Sequence, residues 1–213
     1  MKELLAGINK YSNQVHPQKT DLFRKLKTGQ EPHTLFITCS DSRIDPSLIT
    51  QTEPGEIFIV RNAGNIVPPY GASRGGEEAT IEYAVDGLKV RNIVVCGHSH
   101  CGAMSALLDK NLVVKMPAVG KWLEHAESTL RQVQAGEISV DEAVKTNTLV
   151  QVNNLKTHPS VAAALAAGRL RIFSWIYRFE EGSILVYDNE RGDFVSPQNL
   201  GLRQEEEVER FAV

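Results

Sequence analysis

Two short segments bring together the residue types that do chemistry. One reads Cys39-Ser40-Asp41-Ser42-Arg43, the other Gly97-His98-Ser99-His100-Cys101-Gly102. If they meet in space, Cys39, His98 and Cys101 supply two thiolates and an imidazole. That set suits tetrahedral zinc, with three protein ligands leaving a fourth position for water. His98 and Cys101 are three apart at a loop-to-helix transition, which can place both on one side of a turn. Spacing alone leaves zinc binding open. Asp41 and Arg43 strengthen it, because a guanidinium can hold a carboxylate through two parallel hydrogen bonds and keep it ionised. Without the neighbouring cysteine, the same pair would read as an ordinary loop salt bridge. An Asp41 held this way can accept the proton of a zinc-bound hydroxide in a hydrogen bond and aim its lone pair at a substrate. Alternatively it can swing onto the metal as a fourth ligand and displace the water.

The remaining candidates read more plainly. Cys96 ends an apolar run and reads as a buried, inert thiol. His100 alternates away from its neighbours and reads as a non-ligand. His16, His33, His125 and His158 have no partner pattern and read as surface or capping residues. The stretch 71–76 is glycine-rich but is neither a Walker loop nor a dinucleotide fingerprint, and it reads as a turn before a helix. A Gly-x-Ser-x-Gly nucleophile elbow is absent.

Such motifs need elements to position them. Residues 34–38, 57–60 and 93–96 are short apolar runs that read as buried strands, and residues 75–88 read as a helix between the last two. The two chemical motifs directly follow the first and third of these strands. In an open parallel sheet, ligands bind beyond the carboxyl ends of the strands, so residues far apart in sequence can converge there. Residues 117–134 and 140–167 read as helical, with Pro159 opening a new segment. Residues 170–179 and 184–187 are β-rich and are parted by Glu181-Gly182, a hairpin signal. The expected fold is α/β, a mainly parallel central sheet flanked by helices and preceded by a helical arm. In that arm, residues 2–14 carry Leu4, Leu5, Ile8 and Tyr11 at helical spacing, and a second short helix is expected around 20–27. Its apolar face must dock either on its own core or on another subunit.

The whole chain bounds the function. With 213 residues it reads as one domain over 1–213. A formal net charge of −3, with both signs mixed along the chain, gives no basic stripe for nucleic acid. No apolar run approaches the roughly 20 residues needed to cross a bilayer, and the first residues lack the apolar stretch of a signal peptide. Three cysteines do not make a disulfide framework, so the expected location is the cytoplasm, where thiols stay reduced.

At these motifs the chain resembles the β-class carbonic anhydrases, nearest their bacterial and cyanobacterial branch. The matching text includes both chemical segments, Pro54-Gly55-Glu56, Arg61-Asn62-Ala63-Gly64-Asn65 and Ile81-Glu82-Tyr83-Ala84. The likeness runs from the N-terminal helices to about residue 195. It implies one zinc ion per chain on Cys39, His98 and Cys101, with Asp41 and Arg43 as a catalytic dyad. It implies that Gln30, Phe58 and Tyr83 face the substrate, Gln30 as a hydrogen-bond donor and the two rings as apolar walls. The implied reaction is the reversible hydration of carbon dioxide to bicarbonate and a proton, by attack of zinc-bound hydroxide. Residues 1–28 would clasp a partner in a homodimer or a larger even-numbered homo-oligomer. Hydrolysis of carbonyl sulfide or carbon disulfide at the same site is the nearest alternative. A non-catalytic protein stapled by zinc is the other.

Overall fold

The computed structural model describes residues 1–73, 75–136, 138–197 and 208–213. Most of the acidic stretch 205–209 and Arg74 of the glycine-rich turn lie outside the described residues. Contacts divide the chain into two compact units, Met1–Glu31 and Pro32–Val213. In the first, α1 (Lys2–Lys10) runs through a wide turn and a tight one into α2 (Thr20–Leu26). His16 stacks on Phe23 and meets the edge of Tyr11, which joins the two helices at the corner. Leu4, Leu5, Ile8 and Tyr11 are 67%, 55%, 59% and 43% exposed. The amphipathic pattern read from the sequence is therefore present, with its apolar stripe facing solvent.

In the second unit, a six-stranded sheet has the order β2-β1-β3-β4-β5-β6. Its strands are β1 (Thr34–Cys39), β2 (Ile57–Asn62), β3 (Asn92–His98), β4 (Arg171–Arg178), β5 (Ser183–Asp188) and β6 (Asp193–Val195). The first four in spatial order run parallel, and β5 and β6 are antiparallel. All of β1 and nearly all of β3 are buried on both faces, which is why both read as continuous apolar runs instead of alternating ones. One face carries Leu35, Ile37, Ile93, Val95 and Ile172 against Val152, Leu155 and Val161 of the helical layer. The other carries Phe36, Val94, Cys96, Phe173 and Val186 with Phe211. Each fully buried aliphatic side chain here contributes roughly 1.5–3 kcal/mol of transfer free energy.

The helices follow the sequence with local departures. In chain order α3 (Pro46–Thr50) follows β1, α4 (Gly76–Glu82) follows β2, and α5 (Gly102–Leu108) follows β3. Then come α6 (Pro117–Leu123), α7 (Glu127–Gln134), α8 (Val140–Leu155) and α9 (Pro159–Ala166). The 117–134 run is therefore two helices joined by a tight turn, and the 140–167 run breaks ahead of Pro159, as that residue indicated. Ser139 caps α8 by accepting from the Glu142 amide. Helix α8 crosses β3 closely at Gly97, where a Cβ would fall 2.9 Å from Thr148 and 3.0 Å from Val144. Gly182, at φ 64°, turns the β4–β5 hairpin.

Residues 208–213 return to the sheet. Ala212 bridges Phe173, the Val213 amide donates to the Ile172 carbonyl, and Arg210 pairs with the buried Asp188. Asp188 also accepts from the amides of Glu190 and Arg191, and Arg210 first, then these amides, holds its carboxyl below the usual range. A carboxyl whose pKa is lowered on folding stabilises the folded state above its unfolded pKa, about 3.9, and loses that contribution as pH falls further. Asp188→Asn is expected to lower the melting temperature at neutral pH and to speed amide exchange in residues 208–213. The difference from wild type should shrink as pH drops below about 4. Hydrogen exchange and thermal melts across pH check both.

Candidate metal centre

Cys39 is the last residue of β1 and His98 the last of β3, and these strands are parallel neighbours. Their carboxyl ends thus lie side by side, and α5 starts immediately beyond, with Cys101 at its N-cap. The ligand atoms of Cys39, His98 and Cys101 all lie within 4.8 Å of one another, and all three residues are buried. His98 Nδ1 is 2.8 Å from the Ser99 carbonyl. A carbonyl can only accept, so the ring proton sits on Nδ1 and Nε2 presents its lone pair. That Nε2 is buried with no hydrogen-bond partner among the described residues. A sealed imidazole lone pair facing two thiols is costly unless something binds it.

The two thiols reinforce this. A hydrogen bond from Cys101 is the main cause drawing the Cys39 thiol well below its ordinary value, with the Gly64 amide adding to it against burial. The same hydrogen bond, burial and the negative charge on Cys39 push Cys101 up. A divalent cation bound between the two sulfurs would displace their protons. The Gly64 amide lies 3.4 Å from Cys39 Sγ. Gly64 sits at φ 83°, and a Cβ there would fall 3.0 Å from Ala103 Cβ, so only glycine brings this amide to the sulfur without strain. Its carbonyl is held by Asn147 at 2.9 Å, and Trp122 holds the Ala63 carbonyl at 2.8 Å.

Asp41 and Arg43 form the expected fork, with Nε to Oδ1 at 2.9 Å and a terminal nitrogen to Oδ2 at 2.7 Å. The Arg43 amide adds a third bond to Oδ1 at 3.0 Å. These side-chain bonds first, then the amide, hold the Asp41 carboxyl well below the usual carboxylate range. Oδ2 lies 3.9 Å from His98 Nε2, which puts the carboxylate at the edge of the ligand cluster. Arg43 also donates to the His100 carbonyl at 3.1 Å and lies over the Phe179 ring, 4.4 Å from its centroid. Arg61 ties the loop from below, donating to the carbonyls of Cys39 and Asp41 at 3.1 and 2.8 Å.

The other sequence candidates fall as follows. Phe58 and Tyr83 meet with ring centroids 5.9 Å apart, and Tyr83 is 53% exposed. Gln30 belongs to the first unit, Met1–Glu31. His100, at φ 52°, is turned outward with a 66% exposed side chain. Cys96 is fully buried, and burial pushes its thiol up to about 12, so it stays neutral and unreactive. His158 is at the N-cap of α9 but is buried, with Nε2 3.0 Å from the Pro68 carbonyl. Gly64, Asn147, Phe179 and Glu180 were not singled out as supports of the site. The first three support the ligands or the dyad as described; Glu180 accepts from Ser99, next to a ligand, at 2.5 Å.

The family model for carbonic anhydrase matches residues 34–184. The solved structure of the β-carbonic anhydrase CcaA superposes with a TM-score of 0.90 at 48% identity, covering 92% of this chain and 99% of that one. The chain belongs to the β-carbonic anhydrase family. Among curated relatives, a carbonic anhydrase of Synechocystis is 49% identical over 206 residues, 93% of this chain and 75% of that protein. One from Pseudomonas aeruginosa is 46% identical over 201 residues, 92% of this chain and 91% of its own length. This carbonic anhydrase is thus an enzyme with the α/β fold of its family. No helix among the described residues is long and apolar enough to cross a membrane.

Proposed function

We propose that this carbonic anhydrase binds one zinc ion per chain on Cys39, His98 and Cys101 and interconverts carbon dioxide and bicarbonate. The observation that carries the reading is the buried, unpartnered Nε2 of His98 facing the thiols of Cys39 and Cys101, with all three ligand atoms within 4.8 Å of one another. Two sulfurs and one imidazole are the donor set of a three-ligand zinc site, which keeps a position open for water. A zinc ion held by these residues would act as a Lewis acid that acidifies bound water, to a pKa of about 7 in carbonic anhydrases with three histidine ligands, and two thiolates would donate more charge and raise it.

The protein's own groups direct the attack. Asp41, ionised and fixed by three hydrogen bonds from Arg43, accepts a hydrogen bond from the attacking oxygen and turns its lone pair towards carbon dioxide. Arg43 keeps that carboxylate oriented, itself braced on Phe179 and the His100 carbonyl. Phe58 and Tyr83, which meet at 5.9 Å, supply apolar walls for carbon dioxide. This dyad also argues against zinc as a mere staple, since structural sites close with four protein ligands. Three free cysteines suit a reducing compartment such as the cytoplasm.

The exposed stripe of Leu4, Leu5, Ile8 and Tyr11 supports a clasp in which residues 1–28 pack on a second copy. One of the structural relatives is described as tetrameric, at 29% identity. The double substitution Leu5→Glu with Ile8→Glu is expected to lower the sedimentation mass from dimer or larger to monomer. An unchanged mass contradicts the clasp. For the chemistry, stopped-flow hydration of carbon dioxide should fall by about 10²–10⁴ in Asp41→Ala while zinc per chain stays at one. Wild-type protein that binds zinc without hydrating carbon dioxide would overturn the reading.

A further inference from the structure

We propose that Glu180 is a positioning residue of the metal centre, acting through Ser99 to fix the His98 ring. Ser99 is buried, and each of its polar groups is engaged. Its amide donates to the Tyr177 carbonyl at 2.9 Å. Its hydroxyl donates to Glu180 Oε2 at 2.5 Å. Its carbonyl, the one group left, accepts the His98 Nδ1 proton at 2.8 Å. The first two bonds pin this one residue to the end of β4, and the third transmits that placement to the imidazole. Ring angle and tautomer at a metal-ligating histidine are set by such a partner, so whatever fixes Ser99 fixes the direction of Nε2.

A carboxylate is the strongest acceptor available to a serine hydroxyl, because the bond is charge-assisted. The donation from Ser99 is also the main cause holding the Glu180 carboxyl below its usual range, which keeps it ionised. Its second oxygen is steadied by Arg178 Nε at 3.7 Å and His100 Nε2 at 3.9 Å. Glu180 lies 81 positions from Ser99 and its side chain is 35% exposed, so replacing it removes the tie without opening the core. Phe179, one residue earlier, braces Arg43 in the same way. The end of β4 therefore supports the histidine half of the site through Glu180 and the dyad half through Phe179.

This inference rests on the zinc reading, and its test separates the two. Zinc affinity by chelator competition, and the visible spectrum with cobalt(II), are measured on the full chain for wild type, E180A, S99A, the double variant, E180Q and the neighbouring control E181A. Displacing the outer partner of a metal ligand, here the Ser99 carbonyl that both variants keep but no longer hold in place, weakens binding by about 10-fold. E180A and S99A should each show that loss and an altered cobalt spectrum, and the double variant should lose no more than either single. E180Q, which keeps an acceptor oxygen, should recover most of the affinity, and E181A should match wild type. Zinc binding in E180A equal to wild type, or single losses that multiply to about 100-fold in the double variant, would overturn the inference alone. A wild type that binds neither metal overturns the zinc reading, and this inference with it.

Discussion

Three atoms able to ligate a metal, held together in a buried place, are the constraint on which the rest of the structure depends. The ligand atoms of Cys39, His98 and Cys101 lie within 4.8 Å of one another. Two thiolates so close repel each other, and the buried His98 Nε2 has no hydrogen-bond partner among the described residues, so local interactions alone do not favour the arrangement. It is imposed by the sheet. Strands β1 and β3 are parallel neighbours in register, and their final residues are Cys39 and His98. Both strands are covered on both faces, so their ends cannot shift without disturbing two packed layers. The start of α5 then brings Cys101 to the same place.

Around this centre, polar ties run from distant parts of the chain to backbone groups beside the ligands. Asn147 of α8 holds the Gly64 carbonyl and thereby aims the Gly64 amide at Cys39 Sγ. Arg61 of β2 holds the carbonyls of Cys39 and Asp41. The Tyr177 carbonyl and Glu180 hold Ser99, while Phe179 lies under Arg43. The dyad is one member of this set, distinguished because its carboxylate reaches the edge of the cluster. Orientation is what these contacts supply, and a reaction of a small, weakly held substrate gains most from orientation.

The strands that carry the site were legible because a strand buried on both faces must be a short apolar run, as 34–38, 57–60 and 93–96 are. The convergence of the two cysteine and histidine segments was legible because chemistry in a parallel sheet gathers where strands end. Pro159 and Glu181-Gly182 marked a helix break and a hairpin through fixed backbone preferences. Short elements were not visible: α3 spans five residues and β6 three, too few for a periodic pattern. Residues 117–134 looked continuous because a tight turn hardly disturbs helical spacing. Ser99 lies inside the histidine motif, yet Glu180 lies 81 positions away, and Asn147 is 83 from Gly64. A glutamate beside a glycine turn and an asparagine within a helix carry no pattern of their own. Their meaning arises only when the fold closes.

The central claim is that two sulfurs and one nitrogen of this chain form the inner sphere of a zinc ion. Zinc K-edge X-ray absorption on the purified protein tests it most directly. Two sulfur scatterers at about 2.3 Å and one imidazole nitrogen at about 2.0–2.1 Å, with one light-atom ligand besides, are the expected shell. A shell without sulfur, a shell with a number of sulfurs other than two, or protein that retains no zinc would contradict the account.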